Sequence, residues 1–354
     1  MTETPDFATL GGWPVILGRL TKRDDLSAGE AAASLGEILE GRATPAQIAA
    51  FAVALRMKGE TVEEIGGLVS AMLEHAEPVP GLDPDGLVDT CGTGGDRSGS
   101  INVSTLAALV AAGAGARVCK HGNRAASSDC GSADVLEALG VAMETGPADV
   151  AHCLEEAGMA FCFAPRFHPA LRHAGPVRRE MGVPTVFNFL GPLANPARVT
   201  RQVIGVSDPS MAEKMIGVLA RRGAVRAMVV HGHDGLDELS TTGPSTVLDL
   251  VDGEIRSYRV DPRELGLDPA SPEALRGGDA ATNASLVRRV LAGDPGPHRD
   301  IALLNGAAAI VVAGLAADIP AGLTLAESSV DEGRAATVLE RLVAASNAAA
   351  PASP

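Results

Sequence analysis

A glycine-rich segment with acidic ends carries the residue types that bind a phosphate and a cation. It reads Asp89-Thr-Cys-Gly-Thr-Gly-Gly-Asp96 and is followed by Ser100-Ile-Asn-Val-Ser-Thr105. Glycines accept positive φ angles, so successive backbone N–H groups can point toward one anion. A carboxylate such as Asp96 would repel a bare phosphate but suits a phosphorylated sugar that arrives with Mg²⁺. The pattern predicts a ribose-phosphate site; a glycine-rich turn without a ligand is the alternative.

The residues after this segment indicate where the glycine-rich loop lies in the fold. Residues 106–114 are apolar and rich in alanine, which predicts a buried helix that begins just after Thr105. The loop would then precede a helix N-terminus, where backbone N–H groups and the helix dipole favour a phosphate.

A second polar segment, Lys120-His-Gly-Asn-Arg-Ala-Ala-Ser-Ser-Asp-Cys-Gly-Ser132, follows a predicted strand. Ligands bind beyond the carboxyl ends of strands in open α/β sheets, so these polar groups are placed for binding. Lys120 supplies a point charge for phosphate, and Ser127, Ser128 and Ser132 supply hydroxyl donors. We therefore predict a loop that wraps a phosphate; an ordinary polar surface loop is the alternative.

Two adjacent carboxylates, Asp237 and Glu238, form a third candidate site after the stretch His231-Gly-His-Asp-Gly-Leu236. In a strand they would point to opposite faces, so both can serve one pocket only from a loop or a helix start. The two glycines of the preceding stretch allow such a break. The pair can hold a hard cation, and a solvated acidic turn is the alternative. A transition-metal site at His231 and His233 lacks a third ligand with its own signature.

Composition limits the classes of partner. The chain has 354 residues, a formal net charge of −15 and only 3% aromatic residues. An acidic chain with few side chains for base stacking is a poor nucleic-acid binder, so a small anionic substrate that meets local positive charge is favoured. The cysteines number five and contain no Cys-x-x-Cys pair, which argues against a disulfide framework or a structural zinc. A reducing cytoplasm is the setting that this predicts.

Two further features argue against export and membrane insertion. The first ten residues lack the basic and then apolar order of a secretory signal. Residues 301–315 are apolar except for Asn305, but they fall short of the roughly 20 residues that a bilayer span requires. We predict a core helix there and a protein that is not attached to a membrane.

Hydrophobic periodicity divides the chain into a helical part and an α/β part. Helices are predicted over 26–40, 45–58 and 62–74, each with a Ser or Thr cap or a Pro start. After a Pro-rich break at 78–84, short apolar strands alternate with helices. These strands are predicted at 87–89, 116–120, 159–164, 202–207 and 227–231. A hairpin with its turn at Asp252-Gly253 follows, and the Ala/Pro/Ser-rich residues 345–354 are predicted to be a disordered tail.

Two more stretches complete an ordered set of motifs. Phe163-Ala-Pro-Arg-Phe-His-Pro169 and Arg178-Arg-Glu-Met-Gly-Val-Pro-Thr-Val-Phe-Asn-Phe-Leu-Gly-Pro-Leu-Ala-Asn-Pro196 lie between the second and third sites. With the motifs in this order, the chain resembles the anthranilate phosphoribosyltransferase family from about residue 13 to about residue 344. The resemblance implies transfer of the phosphoribosyl group of phosphoribosyl pyrophosphate (PRPP) to the amine of anthranilate. Pyrophosphate would be released, in the second step from chorismate to tryptophan.

The resemblance also implies an α/β fold of the nucleoside-phosphorylase-like type, with a small helical domain beside a large α/β domain that has a central sheet. Residues 1–81 with 167–198 would form the helical domain. Residues 82–166 with 199–344 would form the α/β domain that binds the phosphoribosyl group. Proteins of this family usually form dimers through the helical domain, so we expect a homodimer.

Site residues follow from the same resemblance. PRPP would be contacted by residues of the first two motifs: Gly92, Gly95, Asp96, Ser100, Asn102, Val103, Ser104, Thr105, Lys120, His121, Gly122, Asn123, Arg124, Ala125, Ala126, Ser127, Ser128 and Ser132. Anthranilate would be contacted by Gly92, His121, Asn123, Pro165 and Arg178, with Arg166 and Arg172 as further candidates. Arg178 would pair with its carboxylate, since a guanidinium offers bidentate donors. Mg²⁺, expected as two ions, would be held by Ser104, Asp237 and Glu238, and the catalytic residues would be Lys120, Asp237 and Glu238.

Two other functions are less compatible with these residues. A nucleoside phosphorylase of the same fold carries a Lys-His-Ser-Thr-Gly-Gly phosphate loop, whereas the matching place here reads Thr90-Cys-Gly-Thr-Gly-Gly95. A nucleic-acid binder would need a basic surface, which the net charge opposes. The Asp96-Arg-Ser-Gly-Ser100 insert and the Asp129-Cys130 pair depart from the family pattern, so the local contacts of these two loops do not follow from the resemblance.

Overall fold

The computed structural model describes residues 4–125 and 129–349 and is built around one seven-stranded sheet. The strands are β1 (Val88–Gly92), β2 (Val118–Gly122), β3 (Met159–Phe163), β4 (Arg201–Gly205), β5 (Arg226–Gly232), β6 (Ser245–Val251) and β7 (Glu254–Val260). Their order is β3-β2-β1-β4-β5-β6-β7, with β1 to β5 parallel and β6 and β7 antiparallel. The five predicted strands and the predicted hairpin at Asp252-Gly253 are confirmed.

Fifteen helices surround the sheet in the described part of the chain. They are α1 (Gly12–Thr21), α2 (Ala28–Leu39), α3 (Pro45–Lys58), α4 (Val62–Glu74), α5 (Val103–Gly113), α6 (Ser132–Ala138), α7 (Pro147–Ala157), α8 (Ala164–Phe167), α9 (Gly175–Met181), α10 (Phe187–Leu193), α11 (Ala212–Arg221), α12 (Ala280–Leu291), α13 (Pro297–Val312), α14 (Ile319–Asp331) and α15 (Arg334–Ala349). Ser27, Thr44 and Thr61 form capping boxes at the starts of α2, α3 and α4. These caps fix where each helix begins, as the sequence predicts.

The two faces of the sheet are covered by different helices. Along β5, Met228 and Val230 belong to one hydrophobic core, and Ala227 and Val229 belong to the other. This alternation follows from the two-residue period of a strand. The first core includes α5, α7 and α13 to α15, whereas the second includes α1 to α4, α10 and α11. The N-terminal helices therefore share a continuous core with one face of the sheet.

The chain returns to the N-terminal helices after β3. Helix α9 packs against α3, and α10 packs against α4. The same α10 contacts the end of β2. This segment thus lies where the helical bundle meets the carboxyl edge of the sheet.

Helix α13 is a core helix, as predicted. It has 16 residues, and those from 301 to 312 are all buried. In the part of the chain that the structure describes, no helix combines the length and the apolar character needed to cross a bilayer.

The C-terminal segment corrects one expectation. Helix α15 continues through Ala349, so the prediction of a disordered tail is wrong for residues 345–349, and 350–354 lie outside the described residues. Ala345 and Ser346 are buried, and the Ser346 hydroxyl accepts the Ala142 N–H at 3.1 Å. Alanine is the best helix former, and tertiary packing stabilises the last turns. The sequence composition alone did not indicate this packing.

We expect Ser346→Ala to lower the free energy of unfolding by about 1–3 kcal/mol, because the Ala142 N–H loses its buried acceptor. The exposed Arg341→Ala on the same helix is the control and should change stability by less than about 0.5 kcal/mol. Urea denaturation of both variants measures the difference. Equal stabilities would show that this end of α15 is not packed against the domain.

Candidate active site

Four neighbouring parallel strands end in glycine at one edge of the sheet. The last residues of β1, β2, β4 and β5 are Gly92, Gly122, Gly205 and Gly232. Parallel strands place their carboxyl ends together, so the loops that follow β1, β2 and β5 converge there. These are the loops of the three motifs found in the sequence.

The glycine-rich loop after β1 binds an anionic oxygen through its backbone. Gly94 and Gly95 have φ angles of 68° and 84°, which the chirality of other residues disfavours. The Gly94 N–H donates to Asp237 Oδ2 at 2.7 Å. The Ser207 hydroxyl donates to Gly94 O at 2.8 Å and holds the loop against the end of β4. The positive φ angles expected of these glycines are therefore present, and a carboxylate of the protein accepts one of the loop N–H groups.

The acidic loop between β5 and β6 presents both carboxylates from irregular backbone, as predicted. Asp234 braces it, because Oδ1 accepts the Leu236 N–H at 3.1 Å and Oδ2 accepts the Ser240 hydroxyl at 2.6 Å. The loop packs directly on β4, since a Cβ at Gly205 would overlap the carbonyl oxygen of Asp237. Only glycine fits at that position of β4, so Gly205 determines how closely the acidic loop approaches the sheet.

Asp237 and Glu238 form a site with excess negative charge. Burial, together with the nearby Asp96, raises the pKa of Asp237 to about 6. Burial and Asp237 raise the pKa of Glu238 well above its usual range, although the Ser104 N–H donates to its carboxylate. Lys120 opposes both shifts but carries one charge against three carboxylates. A cation at this place would relieve the repulsion.

The oxygen donors of this site suit a hard metal ion. The Asp237 and Glu238 carboxylates and the Ser104 hydroxyl are the oxygen groups that Mg²⁺ prefers. Among the described residues, no three His, Cys, Asp or Glu side chains are grouped to hold a metal by themselves. His233 instead pairs with the Thr246 hydroxyl at 2.9 Å, and His231 pairs with Val206 O, so the histidine-pair alternative gains no support.

Lys120 lies beneath the glycine-rich loop. The side chain is buried, at 1% exposure, and its ammonium donates to Thr90 O and, at 3.2 Å, to Ser104 Oγ. Burial lowers the pKa of Lys120, whereas the neighbouring Asp89 raises it. The sequence predicts direct contact between this ammonium and a phosphate. In the structure the ammonium is instead buried against Thr90 and Ser104, where it faces the carboxylates of Asp237 and Glu238.

A buried network behind the site was not identified from the sequence. Asp89 accepts the His121 N–H at 3.1 Å through Oδ1 and the Asn195 amide at 2.9 Å through Oδ2. The same amide nitrogen donates to Cys119 O at 2.8 Å. Asn195 precedes Pro196, a pair typical of turns, so no local signal distinguishes it. The network joins β1, β2 and the segment after α10.

His121 is a neutral acceptor at the end of β2. Burial, together with His168, whose ring centroid lies 5.1 Å away, lowers the pKa of His121 to about 3. Nδ1 pairs with Gly191 O at 3.1 Å and therefore carries the proton. Nε2 has no hydrogen-bond partner among the described residues. A buried lone pair is thus available next to α10.

The second polar segment is closed by Asp134. Its Oδ2 accepts the N–H groups of Ala125 and Gly131, both at 2.9 Å. The Arg124 guanidinium pairs with Asp134 and with Glu137 at 2.7 Å, so it is engaged by protein carboxylates. Asn123 is exposed, and its Oδ1 accepts a hydrogen bond from the Arg124 N–H. The predicted contacts Ala126, Ser127 and Ser128 lie outside the described residues.

Several other predicted residues hold the loops to one another. The Asn102 amide donates to Cys130 O at 3.0 Å and accepts from Asn283 at 2.9 Å. The Thr105 hydroxyl donates to Ser132 Oγ at 3.1 Å. Val103 is buried in the first turn of α5, and Ser100 forms a β-bridge with Arg276. The bonds of Asn102 and Thr105 fix the start of α5 against the loop after β2, and the Ser100 bridge holds the end of the insert to the segment before α12.

Arg178 is an unpaired guanidinium on α9. It lies 5.6 Å from the centre of the Phe187 ring, and burial lowers its pKa. No carboxylate in the described ranges forms an ion pair with it, whereas Arg166 pairs with Glu77. Pro165 is exposed at the start of α8. Arg172 and Arg179 also form no ion pair in the described ranges, but both are exposed, so Arg178 is distinguished by its partial burial.

Comparison with known proteins gives consistent matches along the chain. Residues 84–336 match the glycosyl transferase family, a/b domain, and residues 14–76 match the glycosyl transferase family, helical bundle domain. The chain is 55% identical over 338 residues to the anthranilate phosphoribosyltransferase of Nocardioides sp., a match that covers 94% of this chain and 98% of that protein.

Solved structures agree with this match. The structure of the anthranilate phosphoribosyltransferase of Thermus thermophilus is 44% identical, with a TM-score of 0.88, and the match covers 94% of this chain and 99% of that one. That of Saccharomyces cerevisiae in complex with PRPP and Mg is 28% identical, with a TM-score of 0.87 and coverage of 95% and 98%. The chain therefore belongs to the glycosyl transferase family and, within it, to the anthranilate phosphoribosyltransferases.

Proposed function

We propose that this protein transfers the phosphoribosyl group of PRPP to the amine of anthranilate. The products are N-(5-phosphoribosyl)anthranilate and pyrophosphate, in the second step from chorismate to tryptophan. The observation that carries this proposal is the convergence of an anion-binding glycine-rich loop with a buried lysine and a carboxylate pair. The family relationship supports the identity of both substrates.

PRPP is proposed to lie along the carboxyl edge of the sheet, between the loops after β1 and β2. Gly92 and Gly95 border the anion-binding turn, and the N-terminus of α5 adds N–H groups and a favourable dipole. Lys120 supplies positive charge from below, which the low dielectric of the interior strengthens. The loop of residues 120–132 would cover the other side of the ligand.

Mg²⁺ is proposed at Ser104, Asp237 and Glu238, and two ions per site would balance the three carboxylates that include Asp96. The fit rests on the hard oxygen donors and on the unfavourable repulsion between buried carboxylates. When bound, Mg²⁺ would neutralise charge on the pyrophosphate group. The protein groups hold these oxygens in place before the substrate arrives.

Displacement of pyrophosphate builds positive character on the ribose and negative charge on the leaving group, as in other glycosyl transfers. The N–H groups of the Gly94 turn and the charge of Lys120 would stabilise the departing pyrophosphate. An aromatic amine is unprotonated at neutral pH and needs no strong base. The Nε2 atom of His121, whose pKa is held near 3, can accept a hydrogen bond from that amine without becoming charged.

Anthranilate is proposed to bind on the side of the helical bundle. Arg178 would pair with its carboxylate, and Asn123 and His121 would line the path between Arg178 and the ribose. The half-buried guanidinium of Arg178 has already lost part of its hydration in the folded protein. A ligand carboxylate would therefore bind it strongly, because less water has to be removed on binding.

A homodimer through the helical domain is proposed from the surface of α3. One exposed face of this helix is entirely apolar and consists of Ala46, Ala50, Val53 and Met57. Met57 is 74% exposed, which is unfavourable in a monomer. A monomer mass in light scattering would contradict this assembly. None of the five cysteines, all in the described ranges, forms a disulfide, which suits the proposed reducing cytoplasm.

The reaction is tested by the loss of anthranilate fluorescence. We expect decay only when protein, PRPP and Mg²⁺ are all present, and none with EDTA.

Asp237→Asn combined with Glu238→Gln should lower turnover by about 10²-fold or more, the scale for losing positioned charge. Glu254→Gln, exposed on β7, is the matched control and should behave as the wild type. Full activity of the double variant at limiting Mg²⁺ would contradict the metal assignment.

Arg178→Ala should raise the KM for anthranilate by about 10-fold or more, because a charge-assisted pair is lost, and leave the KM for PRPP within about twofold. Arg179→Ala is the control, since Arg179 is exposed on the same helix. Steady-state kinetics with each substrate varied separately measures both constants. Equal increases in both KM values would place the acceptor site elsewhere.

A further inference from the structure

The apolar helix α13 has one polar side chain in its buried stretch. All residues from 301 to 312 are buried, and Asn305 is the only polar side chain among them, at 2% exposure. A buried amide destabilises a protein unless its donors and acceptor are hydrogen-bonded. The contacts of Asn305 therefore indicate its role.

The Asn305 amide pairs with both backbone groups of Leu239. Oδ1 accepts the Leu239 N–H at 2.9 Å, and Nδ2 donates to Leu239 O at 2.9 Å. Nδ2 also donates to Ile301 O at 2.9 Å. Only this orientation of the amide satisfies all three bonds, because the acceptor must face the N–H and the donors must face the carbonyls. Asn305 thus binds Leu239 much as a neighbouring strand would.

This contact lies directly behind the carboxylate pair. Leu239 follows Glu238, so Asn305 fixes the acidic loop at the point where the pair ends. Asp234 braces the loop before the pair through the Leu236 N–H and after the pair through the Ser240 hydroxyl. The loop is therefore held at both ends, by a turn of its own and by a separate helix.

The same helix contacts the opposite wall of the oxygen site. Helix α13 packs along α5, and the approach is close, since a Cβ at Gly306 would lie 2.7 Å from Val110 Cγ1. Helix α5 carries Ser104 in its first turn, and the Ser104 N–H donates to Glu238. One rigid helix thus contacts both the loop with the carboxylates and the helix with the hydroxyl.

We propose that Asn305 is a positioning residue that sets the distance between the Asp237–Glu238 pair and Ser104, and thereby the affinity of this site for Mg²⁺. The inference rests on the proposed function, because it concerns the same metal site. Asn305 acts through Leu239. Loss of a residue that orients ligands in this way typically lowers metal affinity by about 10- to 100-fold.

A purely stabilising role is the competing explanation, and Ser329 provides a matched control. Ser329 is fully buried on α14, and its hydroxyl donates to Val110 O of α5 at 2.8 Å. Ser329→Ala therefore removes a buried hydrogen bond that packs a helix against α5. Its hydrogen bond does not involve the acidic loop.

The test uses the full-length variants Asn305→Leu, Asn305→Ala and Ser329→Ala. Calorimetric titration of Mg²⁺ into the PRPP-bound protein gives the metal affinity, and turnover at varied Mg²⁺ gives the half-saturating concentration. We expect the dissociation constant and the half-saturating concentration to rise by about tenfold or more in the Asn305 variants, with the KM for anthranilate within about twofold. Ser329→Ala should lower the Tm and leave the Mg²⁺ values unchanged. If Asn305→Leu does not fold, Asn305→Ala replaces it in the test, because the smaller side chain leaves room for a water to bond the Leu239 backbone.

A ligand-free crystal structure of Asn305→Ala separates positioning from function. We expect residues 237–239 to move away from Ser104 relative to the wild type. An unmoved loop, or wild-type Mg²⁺ affinity in a folded Asn305 variant, would overturn the proposal. If the wild type itself bound no PRPP with Mg²⁺, the proposed function would fail, and the crystal structure would still decide whether Asn305 positions the loop.

Discussion

The buried ammonium of Lys120 is the interaction on which the arrangement of this site depends. It contacts the backbone of β1 at Thr90 and the hydroxyl of Ser104 on α5, and it faces the carboxylates of Asp89, Asp237 and Glu238. Burial raises the pKa of all three carboxyl groups, so one ammonium does not suffice to keep all of them ionised. The protein therefore keeps a net negative pocket beneath an anion-binding loop, which is stable only when a cation or protons compensate it.

The candidate active site is assembled from two units that fold around one sheet. The α/β part supplies the loops at the ends of β1, β2 and β5, whereas α9 and α10 bring Arg178 and the carbonyl that orients His121. The shared core between the bundle and one face of the sheet fixes these parts relative to each other. The carboxylate pair at the sheet edge and the guanidinium of Arg178 beside the bundle are thereby held within one packed fold.

Much of this arrangement could be predicted from local sequence. Capping residues such as Ser27 mark helix starts, and the Asp252-Gly253 turn marks a hairpin, because each effect acts within a few residues. The acidic pair and the glycine-rich loop stand out in the sequence as candidate sites for the same reason, and their binding roles stay predictions. Long-range partners were not predicted: Asn195 reaches Asp89 across 106 positions, and Gly205 is required by the carbonyl of Asp237. Such pairings depend on tertiary packing.

The pKa of the Asp237 carboxyl group tests the central claim most directly, and carbon-13 NMR of labelled aspartate can measure it. Excess buried negative charge predicts a value of about 6 in the ligand-free protein. The value should fall when Mg²⁺ and PRPP are added, because a cation stabilises the ionised carboxylate. A value near the ordinary 3.8 that does not respond to Mg²⁺ and PRPP would contradict a cation site at this position.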